Sequence, residues 1–115
     1  MDSNYTLLPK TGDVPEEADF CILMDDDCME PYIHPGDTVY IRCGSPLPTQ
    51  MGVFRYNGKI YIRQFCEDYN GTLHLLCSNP QREECSLHLD RESRRRCVCL
   101  GSVLCKDRLT MPIYP

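Results

Sequence analysis

The chain has no run of about 18 apolar residues, so it offers no transmembrane helix. Its opening, MDSNYTLLPKTGDVPEEADF, lacks the basic and apolar regions of a signal peptide. A cytoplasmic protein with no membrane partner is expected. No apolar pattern of period 3.6 runs far enough for a long helix, which leaves no helix-turn-helix in view. Positive charge is in deficit: 12 basic against 17 acidic side chains give a net charge of −5. That balance discourages non-specific attraction to nucleic acid, so any DNA-reading part lies outside these residues. There is no internal repeat, no low-complexity segment and no Cys-x-x-Cys pair, the spacing usual in structural zinc sites.

Cysteine, by contrast, is plentiful. Nine occur in 115 residues. An odd number without an export signal argues for reduced thiols rather than a disulfide framework, most of them acting as small hydrophobes within strands. The length suits one core and one domain. A 42% hydrophobic and 25% charged composition is that of an ordinary globular chain.

Short strand-like runs dominate. Residues 1–17 read as an irregular arm, broken by Pro9, Gly12 and Pro15. After it come FCILM (20–24), TVYIR (38–42), GVFRY (52–56), KIYIRQF (59–65), TLHLLC (72–77) and CVCLGSVL (97–104). Asn57-Gly58 is the strongest hairpin signal, and Asn70-Gly71 reads as a second turn of that kind. At most one helical turn is expected, near Met29–Tyr32. The fold class is mainly β, coiled or barrel-like, with five to seven strands.

One ordered set of residues carries more. A short apolar strand leads through an acidic turn into Cys28-Met29-Glu30-Pro31, then Gly36-Asp37 and an alternating strand. Gly52-Val53-Phe54, a hairpin and Tyr61-Ile62-Arg63 follow, with Leu75-Leu76, Asn79-Pro80 and Gly101-Ser102-Val103 further on. Together with Ala18-Asp19-Phe20, these positions resemble the C-terminal domain of LexA-type and phage-repressor-like regulators, relatives of the bacterial signal peptidases. The resemblance implies a LexA/signal-peptidase-like fold of coiled β-sheets with a small barrel over residues 18–115, with residues 1–17 as an arm or hinge remnant. It also implies a homodimer that reaches DNA only through an N-terminal domain absent from this chain, and no cofactor. In that family a serine attacks the protein's own hinge and a lysine on a neighbouring strand is its base. Those positions fall on Cys28 and Arg63, so both differ from the pattern. Asp27, Met29, Pro31, Gly36 and Asp37 would form the cleft and its turns.

A serine–lysine dyad works because burial brings an ammonium pKa toward neutrality. A guanidinium, with a pKa above about 12, has a neutral fraction at pH 7 of at most about one part in 10⁵. Arg63 is therefore no base, and losing a positioned base costs about 10²–10⁴ in rate. For Cys28 two effects oppose: an adjacent cation favours the thiolate, while Asp25, Asp26 and Asp27 disfavour a second anion. The resemblance, with its dyad altered in this way, thus implies the regulatory, dimer-forming domain of a LexA/phage-repressor-like transcriptional regulator, without self-cleavage. The alternatives are a self-cleaving peptidase that uses Cys28 and a redox- or ligand-sensing domain on the same scaffold.

Other clusters read more plainly. The aspartate run lacks the Asp-x-Asp-x-Asp-Gly loop of a calcium site and reads as a solvated turn. Cys97-x-Cys99, with His74 and Cys77 or Cys85 and His88, suggests no metal site; buried strand thiols are the default reading. Arg91, Arg94, Arg95 and Arg96 form a short basic loop without interleaved aromatics, expected to be solvated. Phe20, Tyr40, Val53, Phe54, Tyr61 and Phe65 sit at strand spacing as core or dimer surface.

Overall fold

In a computed structural model, the described residues are 6–8, as backbone, and 16–104. Eight strands are assigned among them: β1 (Thr6–Leu8), β2 (Phe20–Leu23), β3 (Thr38–Arg42), β4 (Met51–Tyr56), β5 (Lys59–Glu67), β6 (Leu73–Leu76), β7 (Leu87–Leu89) and β8 (Cys97–Val103). They form one curled antiparallel sheet in the order β1-β2-β3-β8-β4-β5-β6-β7. The mainly β expectation is met. Among the described residues no helix is long and apolar enough to cross a membrane.

The β4–β5 hairpin sets the register of the centre. Asn57 (φ 53°) and Gly58 (φ 79°) are both left-handed, the requirement of a two-residue type I′ turn. Tyr56 then faces Lys59, Val53 faces Ile62, and Gly52 faces Arg63. Because side chains alternate along a strand, Ile62 and Arg63 point to opposite faces. One face packs Ile22, Met24, Met29, Val39, Ile41, Val53 and Ile62. The other packs Phe54, Leu73, Leu75 and Leu89, with Phe54 and Phe65 stacked at 6.2 Å between centroids. Of the aromatic and β-branched set, Val53 and Phe54 are buried, while Phe20, Tyr40, Tyr61 and Phe65 are half-buried.

Four expectations need correction. Part of the irregular arm is strand: Thr6–Leu8 pairs with β2, Leu7 opposite Ile22, which covers an edge that would otherwise present unpaired backbone groups. Leu87–Leu89 is an eighth strand, too short to show an alternation of its own and defined by its pairing with β6. Asn70-Gly71 is no two-residue hairpin. Asp68–Thr72 form a five-residue loop in which the Asp68 carboxylate accepts from the N–H groups of Asn70 and Thr72 (3.2 and 3.0 Å), and only Gly71 is left-handed (φ 91°). An Asx-type turn has replaced the primed one. Near Met29 the N–H groups of Tyr32 and Ile33 donate to the Met29 carbonyl (2.9 and 3.0 Å) and close a single turn, but more than the one helical turn expected is present: 3-10 segments stand at Pro80–Cys85 and Ser93–Arg96.

β8 carries an irregularity against β4: Val53 faces Gly101 but Phe54 faces Cys99. A Cβ at Gly101 would stand 2.7 Å from the Arg42 carbonyl oxygen and 2.6 Å from an Ile41 methyl. Since backbone cannot swing aside, Gly101→Ala is expected to lower stability by about 1–3 kcal/mol, measured as a fall in urea midpoint at unchanged slope.

Candidate functional site: a buried guanidinium among thiols

The turn after β2 hangs on side-chain acceptors. The Cys28 N–H donates to the Asp26 carboxylate (3.0 Å). Its carbonyl accepts from the Asn79 N–H (3.0 Å), and the Asn79 side-chain amide donates to the Asp27 carbonyl (2.8 Å). The Ser78 hydroxyl donates to the Glu30 carbonyl (3.1 Å). Residues 27–30 are thus stitched to the segment just after β6, beside a 3-10 turn at Pro80–Cys85 that Asn79 caps through the Gln81 N–H. This seats Cys28, only 4% exposed, close enough to Cys77 that each thiol bears on the other's ionisation.

Arg63 enters from β5 and is 3% exposed. Its Nη1 donates to the Ile62 carbonyl at 2.8 Å and its Nε to the Cys85 carbonyl at 3.4 Å. An Asp26 carboxylate oxygen lies 3.9 Å from Nη1, and the guanidinium carbon stands 5.3 Å from the Tyr61 ring centroid. Arg63 is therefore turned inward, with its charge spread over backbone oxygens, a carboxylate and an aromatic face.

The electrostatics decide what Cys28 can do. Burial pushes its thiol well above the ordinary range; Arg63 pulls the other way, while Cys77, Asp26 and Cys85 add to the rise. Cys77 is raised too, again chiefly by burial, with Arg63 opposing. At neutral pH the pair is thiol, not thiolate, and a thiol is a poor nucleophile. The guanidinium accepts no proton. Cys28 and Arg63 lie near one another, as a neutral thiol beside a fixed cation.

The other expected site residues have separate places. The Asp27 carboxylate accepts from Arg82 Nε (2.9 Å), which holds it below the usual carboxylate range. Met29 is fully buried in the core. Pro31, joined to Glu30 by a cis peptide, lines an open cavity of about 420 Å³ with Tyr32, Cys77, Ser78, Ser86 and His88. Gly36 adopts φ 91°, and the Asp37 carboxylate accepts from the His34 N–H (2.9 Å), closing the turn into β3. Sequence reasoning missed that Cys77 and Cys85 join Cys28 around Arg63. No local signal shows it, because the contact depends on the fold-back after β6.

Of the basic loop, Arg91, Arg95 and Arg96 are exposed and Arg94 is half-buried. Arg94 pairs with Glu67 and donates to the Gly71 carbonyl (2.8 Å), and Arg95 lies 4.0 Å from Glu92. Among the described residues no three His, Cys, Asp or Glu side chains group as metal ligands. Cys97, half-buried, has its thiol raised to about 11 by burial, with Cys99 adding to the rise.

The sequence model of a family described as Peptidase S24-like matches residues 2–103. No curated protein matches the chain.

Two measurements check these assignments. With a thiol alkylating reagent at neutral pH, exposed Cys43 and Cys99 are expected to label to completion while Cys28 stays unlabelled; labelling of Cys28 first would contradict its burial. The His34 imidazole, 2.9 Å from the Glu30 carboxylate, is raised by that hydrogen bond. A raised imidazole pKa means its stabilising contact is complete below about 6.5 and lost as pH climbs through the folded value. An NMR titration of His34 should therefore show a midpoint above about 6.5 that falls in Glu30→Gln.

Proposed function

Since the chain belongs to the Peptidase S24-like family, we propose that it is the regulatory, self-associating domain of a repressor-like transcriptional regulator, and that it does not cleave itself. The observation that carries this reading is Arg63. Where the family resemblance places a lysine base, a permanently charged side chain is buried and tied to the Ile62 carbonyl at 2.8 Å. The Cys28 thiol beside it is held protonated by burial. Neither a nucleophile nor a base is available at neutral pH, which supports a role that is mechanical rather than chemical.

In this reading, self-association sets two N-terminal DNA-binding units, carried outside this chain, at half-site spacing. The acidic balance of the domain agrees with a part that does not itself hold DNA. Eight free thiols among the described residues agree with a reducing, cytoplasmic setting.

The tests are direct. The protein with its upstream region, incubated at pH 7–10, is expected to remain intact on denaturing gels. A chain break that disappears in Cys28→Ala would establish the self-cleaving reading instead. Sedimentation equilibrium of the chain is expected to show a concentration-dependent dimer; a monomer at all concentrations would remove the assembly role.

A further inference from the structure

Away from Arg63, the pairing of β6 with β7 sets His74 directly opposite His88. Their Nδ1 atoms are 2.8 Å apart, with ring planes inclined by 66°. On the other side of the His74 ring, Nε2 lies 2.9 Å from the Asp68 carboxylate. That carboxylate is itself fixed by the N–H groups of Asn70 and Thr72. A carboxylate only accepts, so the His74 hydrogen sits on Nε2 and its Nδ1 presents a lone pair. The hydrogen between the rings then belongs to His88.

We propose that His74 and His88 form a two-pronged site for a divalent transition-metal ion of the nickel or copper type. Both Nδ1 atoms would be ligands, and Asp68 would be the positioning residue behind His74. Metal–imidazole bonds run about 2.0–2.1 Å, so two nitrogens at a right-angle bite stand about 2.9 Å apart. The hydrogen bond already holds the two nitrogens 2.8 Å apart, close to that bite, which square-planar or tetragonal geometry supplies. A tetrahedral bite needs about 3.3 Å at the same bond length, which makes zinc the poorer fit. The ion displaces the hydrogen between the rings and sits about 1.5 Å to one side of the line joining the two nitrogens. His88, exposed at the sheet edge, moves that hydrogen to its Nε2, and its ring swings until its lone pair converges on the metal with that of His74, which Asp68 holds in place. Asp68 supplies the carboxylate–histidine–metal arrangement that fixes tautomer and ring orientation in known sites. With no third protein ligand among the described residues, water fills the remaining positions, and the ion exchanges freely.

The untagged, reduced chain on a nickel-charged iminodiacetate resin tests this. It should be retained and eluted by imidazole. His74→Gln and His88→Gln should each abolish retention, whereas His34→Gln and Cys66→Ser, the latter opposite His74 on β5, should leave it unchanged. Asp68→Asn should weaken nickel affinity about 10–100-fold. Retention of either His74→Gln or His88→Gln at the wild-type level would overturn the site. The unaltered chain offers an independent readout. Substoichiometric Ni²⁺ should broaden the NMR signals of His74 and His88 first, and initial broadening at Cys28 and Cys77, or at Cys97 and Cys99, would assign the metal to thiols instead.

Discussion

A buried positive charge governs the centre of this molecule. A guanidinium removed from water has to find its compensation in the protein, and stripping a partner from such a charge costs about 3–5 kcal/mol. Arg63 finds it in the Ile62 and Cys85 carbonyls, the Asp26 carboxylate and the Tyr61 ring. Each of those partners is then constrained in turn. The 3-10 turn ending at Cys85 must lie against β5, and the aspartate turn must bring Asp26 within reach. The same carboxylate receives the Cys28 N–H, so one side chain links the cation to the cysteine turn.

This geometry also explains why the cysteine is quiet. A cation beside a thiol ordinarily favours the thiolate, and in an open cleft that effect would prevail. Here the surroundings that bury Arg63 also bury Cys28, Cys77 lies close to it, and Asp26 adds negative charge. Desolvation outweighs the nearby cation. The charge of Arg63 is already shared among backbone oxygens and Asp26, which leaves less of it to stabilise a new anion. Packing and electrostatics thus agree on an inert thiol within a rigid seam between the cysteine turn and the segment after β6.

Much of the sheet was legible because its signals are local. The alternation of TVYIR, the apolar FCIL and the Asn57-Gly58 turn each specify backbone geometry within a few residues, and β2, β3, β4 and β5 follow with small shifts at their ends. Where the signal was not local, reading failed. Thr6–Leu8 and Leu87–Leu89 are three residues each and acquire strand character from the edges they meet. Asn70-Gly71 misled because Asp68, two residues earlier, captures the loop's N–H groups. The pairing of the Cys28 and Arg63 positions came from resemblance to a family, while Cys77 and Cys85 had no spacing that marked them.

By itself, the order of amino acids determined the strand-forming segments, the left-handed turn at Asn57-Gly58, the surplus of negative charge and the presence of arginine where a proton acceptor would be needed. These are properties of single residues and their immediate neighbours, and they hold in any compact arrangement. Only the tertiary structure decided that Arg63 faces inward, that three cysteines from distant segments share its surroundings, and that two histidines meet across β6 and β7. Those outcomes depend on burial and on strand register, which are set when the sheet closes over its two cores.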